Sequence, residues 1–545
     1  MITELLHPNA LATLDLPVLA AFGTWDWIVV VAYFALVTWI GVAMSRKTPD
    51  ATDYFLGGRS LPTWAVAVSL VATMLSAATF VGVPDVAFGG DLTYLIMNVG
   101  GFIAVFVVAF LFVPKLYHAG TVTIYGFIAQ RFGEPARLAV SCMFIFGRML
   151  ASGARLFVAA TPLCLLMFGA QAPLAWQMIL AICLIGAVGT LYTTLGGVRA
   201  VVWVDALQLA IVIGTALLTI AILLHRIPLS PAQIVDLLAN TNVPSTGGGK
   251  LRLVDMSLDP TRTFTLWTAL FAAVFLNTAS FGVDHDLAQR FLITKSVTSG
   301  GLSVIASQFL SVIVVSLFMC IGMLLFIFYK RPDVLHVVHE VPANGISIYP
   351  WFLLNELPPV VAGLSMAGFF AIAQGSLDSA MNALASSIVA DIYIPLRRRR
   401  GHPDSSENAK ASKPAVAMVG AVLCGFAIVC ALVFDPKSKT LLDFSLGVMT
   451  FALSGMLGVF MTALLTRRGN VVSVIAALLV AIIAVTLVQD RILGWWSLKL
   501  FGTTWKLAWP WWMTLGSLLS FGVCVAGRPR PATSQAKDPH DAPRN

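Results

Sequence analysis

Apolar runs of about 20 residues recur from Trp27 almost to the C-terminus, and they leave this chain very few possible architectures. Each run is long enough to cross a hydrocarbon layer about 30 Å thick. Only helices and closed barrels satisfy every backbone N–H and C=O in such a layer. The runs are too long and too continuous for the alternating strands of a barrel. Composition agrees: 58% of the 545 residues are hydrophobic, 11% are charged and the mean hydropathy is +0.87. A soluble domain carries about a quarter of its residues as charges. The expectation is an all-α polytopic membrane protein.

About 13 spans are expected, at 27–45, 63–87, 92–113, 137–168, 175–194, 200–225, 263–282, 300–329, 358–392, 413–434, 441–466, 470–488 and 507–527. The net charge of +8 does not point to nucleic acid, because the positive residues flank apolar runs. With the N-terminus outside, Arg46 and Lys47, Lys115 with Arg131, Arg199, Arg290 with Lys295, Arg397 to Arg400, and Arg467 with Arg468 all fall inside. The outside loops at 226–262 and 330–357 are longer and mixed in charge. The seven Cys lie in apolar stretches without CxxC spacing and read as small buried hydrophobes. Residues 1–26 contain no Lys or Arg and lack the basic start of a signal peptide.

The second span, AVAVSLVATMLSAATFVGVPDVAF, carries Ser69, Thr73, Ser76 and Thr79, with Pro84 near its end. Any one of these residues suits close helix packing. As a cluster they fit a helix that unwinds midway and offers carbonyls and hydroxyls to an ion. Span 358–392, with AIAQGSLDSAMNALASS, is the other candidate for a break.

Ionisable residues inside a span are functional candidates by default. Asp205 lies about a turn into its helix and reads either as an ion ligand or as an interfacial partner of Arg199. Asp378 sits centrally beside Ser376 and Ser379, a set of hard oxygens suited to an alkali cation. Its other reading is a neutral acid hydrogen-bonded across helices. Arg148 and Arg155 lie seven residues apart on about one helix face. Arg155 reads as a clamp for a carboxylate or as a structural cation; Arg148 reads as structural. His118 and His285 are lone residues at membrane edges and are expected to be solvated.

Several segments resemble the sodium:solute symporter family, which includes proline permease and the sodium-coupled glucose, galactose and sialic acid transporters. They are DYFLGGRSLPTWAVAVSLVATMLSAATFVGVPDVAF (53–88), SGARLF (152–157), GGVRAVVWVDALQ (196–208), FGVDHDLAQRFLITKS (281–296) and SLDSAMNALASSIVADIYIPL (376–396), in family order. The resemblance implies a leucine-transporter-like five-plus-five inverted repeat, at about 63–225 and 263–466, working by alternating access. It implies a main sodium site with carbonyls from Ala72, Leu75 and Ile372 and hydroxyls from positions 375 and 376. This chain departs there: Ser376 is present, but position 375 is glycine. A second sodium site of some members matches Asp205 and Ser379, with Asp378 adding a carboxylate beside it. Two couplings follow: sodium with Asp378 compensating for Gly375, or a proton taken up by Asp378.

By the same resemblance, Ser76, Thr79, Tyr94, Asn98 and Arg155 contact the solute, with Arg148 the alternative arginine, and Phe80, Phe157 and Phe281 are possible walls. Tyr94 reads equally as an interfacial anchor. The implied activity is sodium-coupled symport of a small carboxylate-bearing solute (an amino acid, sialic acid or monocarboxylate), with a neutral sugar or polyol as the alternative. The expected partners are that solute and the bilayer, with no nucleic acid, no organic cofactor and no obligate protein partner. No HExxH, GxSxG or His pair at ligand spacing suggests an enzyme or a further metal site. A passive channel would need neither a broken helix nor buried acids. The organisation expected is a non-cytoplasmic segment 1–26, a transporter domain 27–527 and a disordered cytoplasmic tail 528–545, in a plasma or inner membrane.

Overall fold

A computed structural model describes residues 22–45, 51–168, 174–244, 247–339, 341, 347–401, 407–433 and 440–528. Residues 1–21, Arg46, Lys47 and the tail beyond 528 lie outside these described residues. Among the described residues, eight helices are long and apolar enough to cross a membrane, or nine if one bent pair counts as a single span. Three shorter apolar helices accompany them. The chain is therefore an all-α polytopic membrane protein.

In chain order the helices that frame the site are α1 (Thr24–Ser45), α2 (Thr63–Met74), α3 (Ala77–Gly89), α4 (Met97–Val107), α5 (Tyr125–Phe132), α6 (Glu134–Phe168) and α7 (Ala175–Arg226). There follow α8 (Val274–Gly282), α9 (His285–Leu292), α10 (Val297–Lys330), α11 (Val361–Ser387), α12 (Glu407–Val433), α13 (Thr440–Leu465), α14 (Val471–Val488) and α15 (Pro510–Ala526). The boundaries of the long helices follow the apolar runs. The amphipathic pieces α5 and α9 carry no such run and were not expected.

α7 has 52 residues, which at 1.5 Å per residue is more than twice the hydrocarbon thickness. It kinks at Gly197, whose φ of 60° and ψ of −162° suit only glycine. The two arms match the expected spans 175–194 and 200–225. A side chain at 197 would also meet Tyr54, whose ring and backbone pack into the bend. The Tyr54 hydroxyl donates to the carbonyls of Thr193 and Thr194 just before the kink, each at 3.0 Å. Those acceptors lose their helical partners at the break, and the tyrosine satisfies them.

The expected break in the second span is present. α2 ends at Met74, Leu75 (ψ 139°) and Ser76 (ψ 167°) are extended, and α3 leaves at an angle of 66°. Unwinding frees the last carbonyls of α2 for other partners. No comparable break occurs in the other candidate. α11 is regular from Val361 to Ser387 and passes into a π-helical turn at Ile388–Tyr393. It contains no proline, and glycine alone is tolerated inside a helix.

α11 is the centre of the bundle. Every residue from Ser365 to Ser387 is buried, although the segment includes Gln374, Ser376, Asp378, Ser379, Asn382, Ser386 and Ser387. Its most extensive contacts are with α7, followed by α1 and α6. α10 packs along both halves of the broken span. At the closest point Gly322 lies against the Pro84 carbonyl and the Ala87 side chain, leaving no room for a β-carbon.

Candidate functional site

Four elements meet around the break. α2 brings Ser69, Ala72 and Thr73; the second arm of α7 brings Asp205 and Gln208; α9 brings Arg290; α11 brings Gln374 to Ser379. Asp205 and Gln208 are one helical turn apart and so share a face. The Ser69 hydroxyl donates to Asp205 Oδ2, and Arg290 Nη2 lies 3.7 Å from the same oxygen. The cation beside Asp205 is thus Arg290, while Arg199 Nε donates to the Gly57 carbonyl. Arg290 also donates to Ser379 Oγ, which is 3.0 Å from Thr73 Oγ1. α2, α7, α9 and α11 are therefore joined by one fully buried network of an acid, an arginine and hydroxyls.

Asp378 is held on the other side of α11. Its carboxylate accepts from the Tyr192 hydroxyl of α7 and, at 2.6 Å, from the Ser379 amide. Ser376 Oγ donates to the Ala373 carbonyl at 3.2 Å, and Ile372 is buried beside it. Position 375 faces α2 and α7. A β-carbon placed there would lie 2.8 Å from Gln208 Oε1 and 3.4 Å from both the Ala72 carbonyl oxygen and Asp205 Oδ1. Of the residues expected at the ion, Ala72 and Asp205 meet at position 375 and Ser379 joins Asp378 and Arg290, with Gln208 added.

Neither Gln208 nor Arg290 is singled out by the sequence. The signal for Gln208 was an amide in an apolar run, three residues after an acid on the same face. In the sequence Arg290 reads only as an interior loop charge. His285, expected to be solvated, is buried, and its Nε2 lies 2.9 Å from Ser386 Oγ. The short α9 folds inward under the bundle, which a flanking-loop reading does not anticipate.

Two adjoining cavities lie beside the break. One, of about 170 Å³, is lined by Leu75, Thr79, Tyr94, Asn98, Asn277 and Gln308, among others. The second, of about 270 Å³, shares Tyr94, Asn277 and Trp509 and is lined also by Thr73, Arg148 and Arg155. Asn98 Oδ1 accepts from Gln308 Nε2 at 3.1 Å, and the Tyr94 ring meets Phe264 edge-on at 5.2 Å. Ser76 is buried within the break, 3.5 Å from Thr79 Oγ1. Phe80 is core, ringed by Phe318, Tyr349 and Phe369, and Phe157 and Phe281 are likewise buried.

The two arginines of α6 differ in their partners. Arg148 is buried and paired with Asp284, at 2.9 Å, and with Asp286. Arg155 makes no hydrogen bond or ion pair with any described residue and borders the larger cavity. Asp284 lines the same cavity, among apolar side chains, an amide and several hydroxyls, and the Arg155 guanidinium, which it does not bond, suits a small organic anion.

The model of the family described as "Sodium:solute symporter family" matches residues 54–481. The sodium/sialic acid symporter of Proteus mirabilis is 27% identical over 478 residues, covering 85% of this chain and 89% of that protein. The human sodium/iodide cotransporter is 27% identical over 382 residues, 69% of this chain and 57% of that protein. Among solved structures, a Na+-coupled sialic acid symporter in a substrate-bound outward-open state is similar with a TM-score of 0.76 and 25% identity, covering 93% of this chain and 97% of that one. A nucleobase-cation-symport-1 family transporter, at a TM-score of 0.51 and 14% identity, shares the fold over 88% of this chain and 94% of that one.

Proposed function

Because this chain belongs to the sodium:solute symporter family, we propose that it carries a small carboxylate-bearing solute across the membrane together with sodium, by alternating access. The observation that carries the solute class is Arg155, a guanidinium at the cavity wall that forms no hydrogen bond or salt bridge with a described residue. Such a half-buried guanidinium, near Asp284 and Asp286 but bonded to neither, gains from an anion that comes into direct contact with it. The relatives named for sialic acid support the same class. Thr79, Tyr94 and Asn98 share the cavity and complete the proposed solute contacts, with Ser76 behind them in the break.

Sodium is assigned to the oxygens around the break: Ala72, Leu75, Ile372 and Ser376, with Asp205, Asp378 and Ser379 adjoining. Their burial and mutual contacts support this assignment. For the five-plus-five repeat, the support is the single sharp break in α2–α3 and the likeness to the two solved symporters. The kink that divides α7 at Gly197 and the three shorter apolar helices beside the eight or nine spans support a count near thirteen. The basic loops support a plasma-membrane or inner-membrane protein with its N-terminus outside.

The test is uptake of radiolabelled sialic acid and of simpler carboxylates into proteoliposomes under a sodium gradient alone, then under a pH gradient alone. Accumulation that requires the sodium gradient and disappears in Asp205→Asn is expected. Equal uptake in sodium-free medium would dismiss sodium coupling, and uptake of neutral sugars in preference to acids would dismiss the solute class.

A further inference from the structure

We propose that Gln208 supplies the cation ligand that position 375 lacks, its amide oxygen joining the Ala72 carbonyl and Asp205 Oδ1 in an oxygen cage over the bare backbone of Gly375. The inference rests on the reading of the chain as a sodium-coupled symporter and deepens it at one site.

Three observations converge. First, the three oxygens come from two helices and lie within 3.4 Å of a single point on a third, the point a β-carbon at 375 would occupy. Second, two of them are orphans: Asp205 Oδ1 and Gln208 Oε1 are both fully buried and have no hydrogen-bond partner among the described residues. A buried acceptor without a partner is costly, and acceptors gathered on one point repel unless something positive lies between them. All are hard oxygens of the kind that alkali and alkaline-earth cations take.

Third, the amide is aimed. Gln208 Nε2 donates to the Tyr33 hydroxyl oxygen at 3.1 Å, and Tyr33 passes its own proton to Gln374 Oε1, also at 3.1 Å. With its nitrogen tied to α1, the amide presents its oxygen to the cage. Arg290, 3.7 Å from the opposite oxygen of Asp205, leaves Oδ1 free for the ion.

Glycine at 375 then has a reason. A β-carbon there would lie 2.8 Å from Gln208 Oε1, closer than real contacts allow. A hydroxyl side chain at 375 and an amide oxygen from 208 are mutually exclusive occupants of one space, and each can serve as the ligand. Asp378, which the sequence suggested as the replacement, has both its oxygens engaged by Tyr192 and the Ser379 amide.

The experiment is a thermal-shift titration of the purified full chain with NaCl, at constant ionic strength against KCl and without any solute. The wild type is expected to melt higher in sodium. Gln208→Ala is expected to raise the half-saturating sodium concentration about tenfold or more, read against that variant's own melting temperature in KCl, and Gln208→Glu is expected to keep the sodium response. Gly375→Ser alone should also weaken sodium, because it displaces the amide. Gly375→Ser combined with Gln208→Ala should recover much of the loss. An amide turned the other way would donate to the same oxygens, and Gln208→Ala would then leave sodium affinity unchanged or raise it; that result overturns the proposal, as do strictly additive losses in the double variant. A wild type indifferent to sodium would instead overturn the coupling reading itself.

Discussion

Arg148 and Arg155 lie seven residues apart on α6, yet the carboxylates of Asp284 and Asp286 form ion pairs only with Arg148. The helix therefore presents one charge already spent on the fold and one still available at the cavity. Arg155→Ala is expected to lower affinity for a carboxylate solute by about 100-fold, as for truncating one partner of a buried charge pair, and to leave the melting temperature of the solute-free protein nearly unchanged. Scintillation proximity binding together with thermal unfolding checks both halves. Normal binding by the variant would remove the clamp.

Arg148→Ala should behave in the opposite way. Its loss leaves Asp284 and Asp286 buried without their cation, an effect of about 3–5 kcal/mol in comparable pairs. Reduced expression and a lower melting temperature, with or without solute, are the expected outcome by fluorescence-detected size exclusion. Because α9 also carries Arg290 to the ion network, a partial loss of sodium response should accompany it.

Gly322 sets how closely α10 approaches α3. Gly322→Val forces the half-helix beyond the break away from its neighbour, and overpacking of this kind costs about 1–3 kcal/mol. α3 follows the break, so any motion of this half-helix must pass that contact. Maximal uptake rate is expected to fall severalfold, by about the 1–3 kcal/mol scale of the packing change, while half-saturating sodium stays near the wild-type value. Initial-rate kinetics in proteoliposomes separate the two.

Lys250, in the loop between α7 and α8, donates to the carbonyls of Ala87, Phe88 and Gly90, each at 2.9 Å, and so caps the end of α3. Burial pushes its pKa down from 10.5 to about 8, against the upward pull of Asp91. Below about pH 8 the folded and unfolded chains both hold this proton. From there to 10.5 the unfolded chain holds more of it, so this group's contribution to stability rises with pH. Lys250→Met lacks that term. The melting-temperature difference between wild type and variant should therefore widen across that window, as differential scanning fluorimetry would measure.

Span positions were legible because the lipid imposes a length, and the break at Leu75 and Ser76 was legible because hydroxyls and small residues crowd it. Asp205, Asp378 and Arg155 were conspicuous as charges in apolar runs. Partners were another matter. Nothing in the sequence says that Asp205 faces Arg290 rather than Arg199, since α9 reaches it only by folding inward from what reads as a loop. Gln208, Gln308 and Asn277 carry no charge to draw notice, and an uncharged amide gains its meaning only from what tertiary packing sets opposite it. The unbroken course of α11 also escaped, because its polar residues suggest solvent or unwinding until the helices that cover every face are in place.

A helix covered on every face has consequences for how its sequence can change. Along Ser365 to Ser387 no side chain can be enlarged, shrunk or recharged without a response from another helix. Single-step variants in this segment should mostly be lost, whereas paired exchanges across its contacts can survive. A family that keeps such a helix at its centre would then diversify ion preference through reciprocal substitutions, visible as linked columns between the α11 segment and the arms of α7, with the lipid-facing helices free to drift.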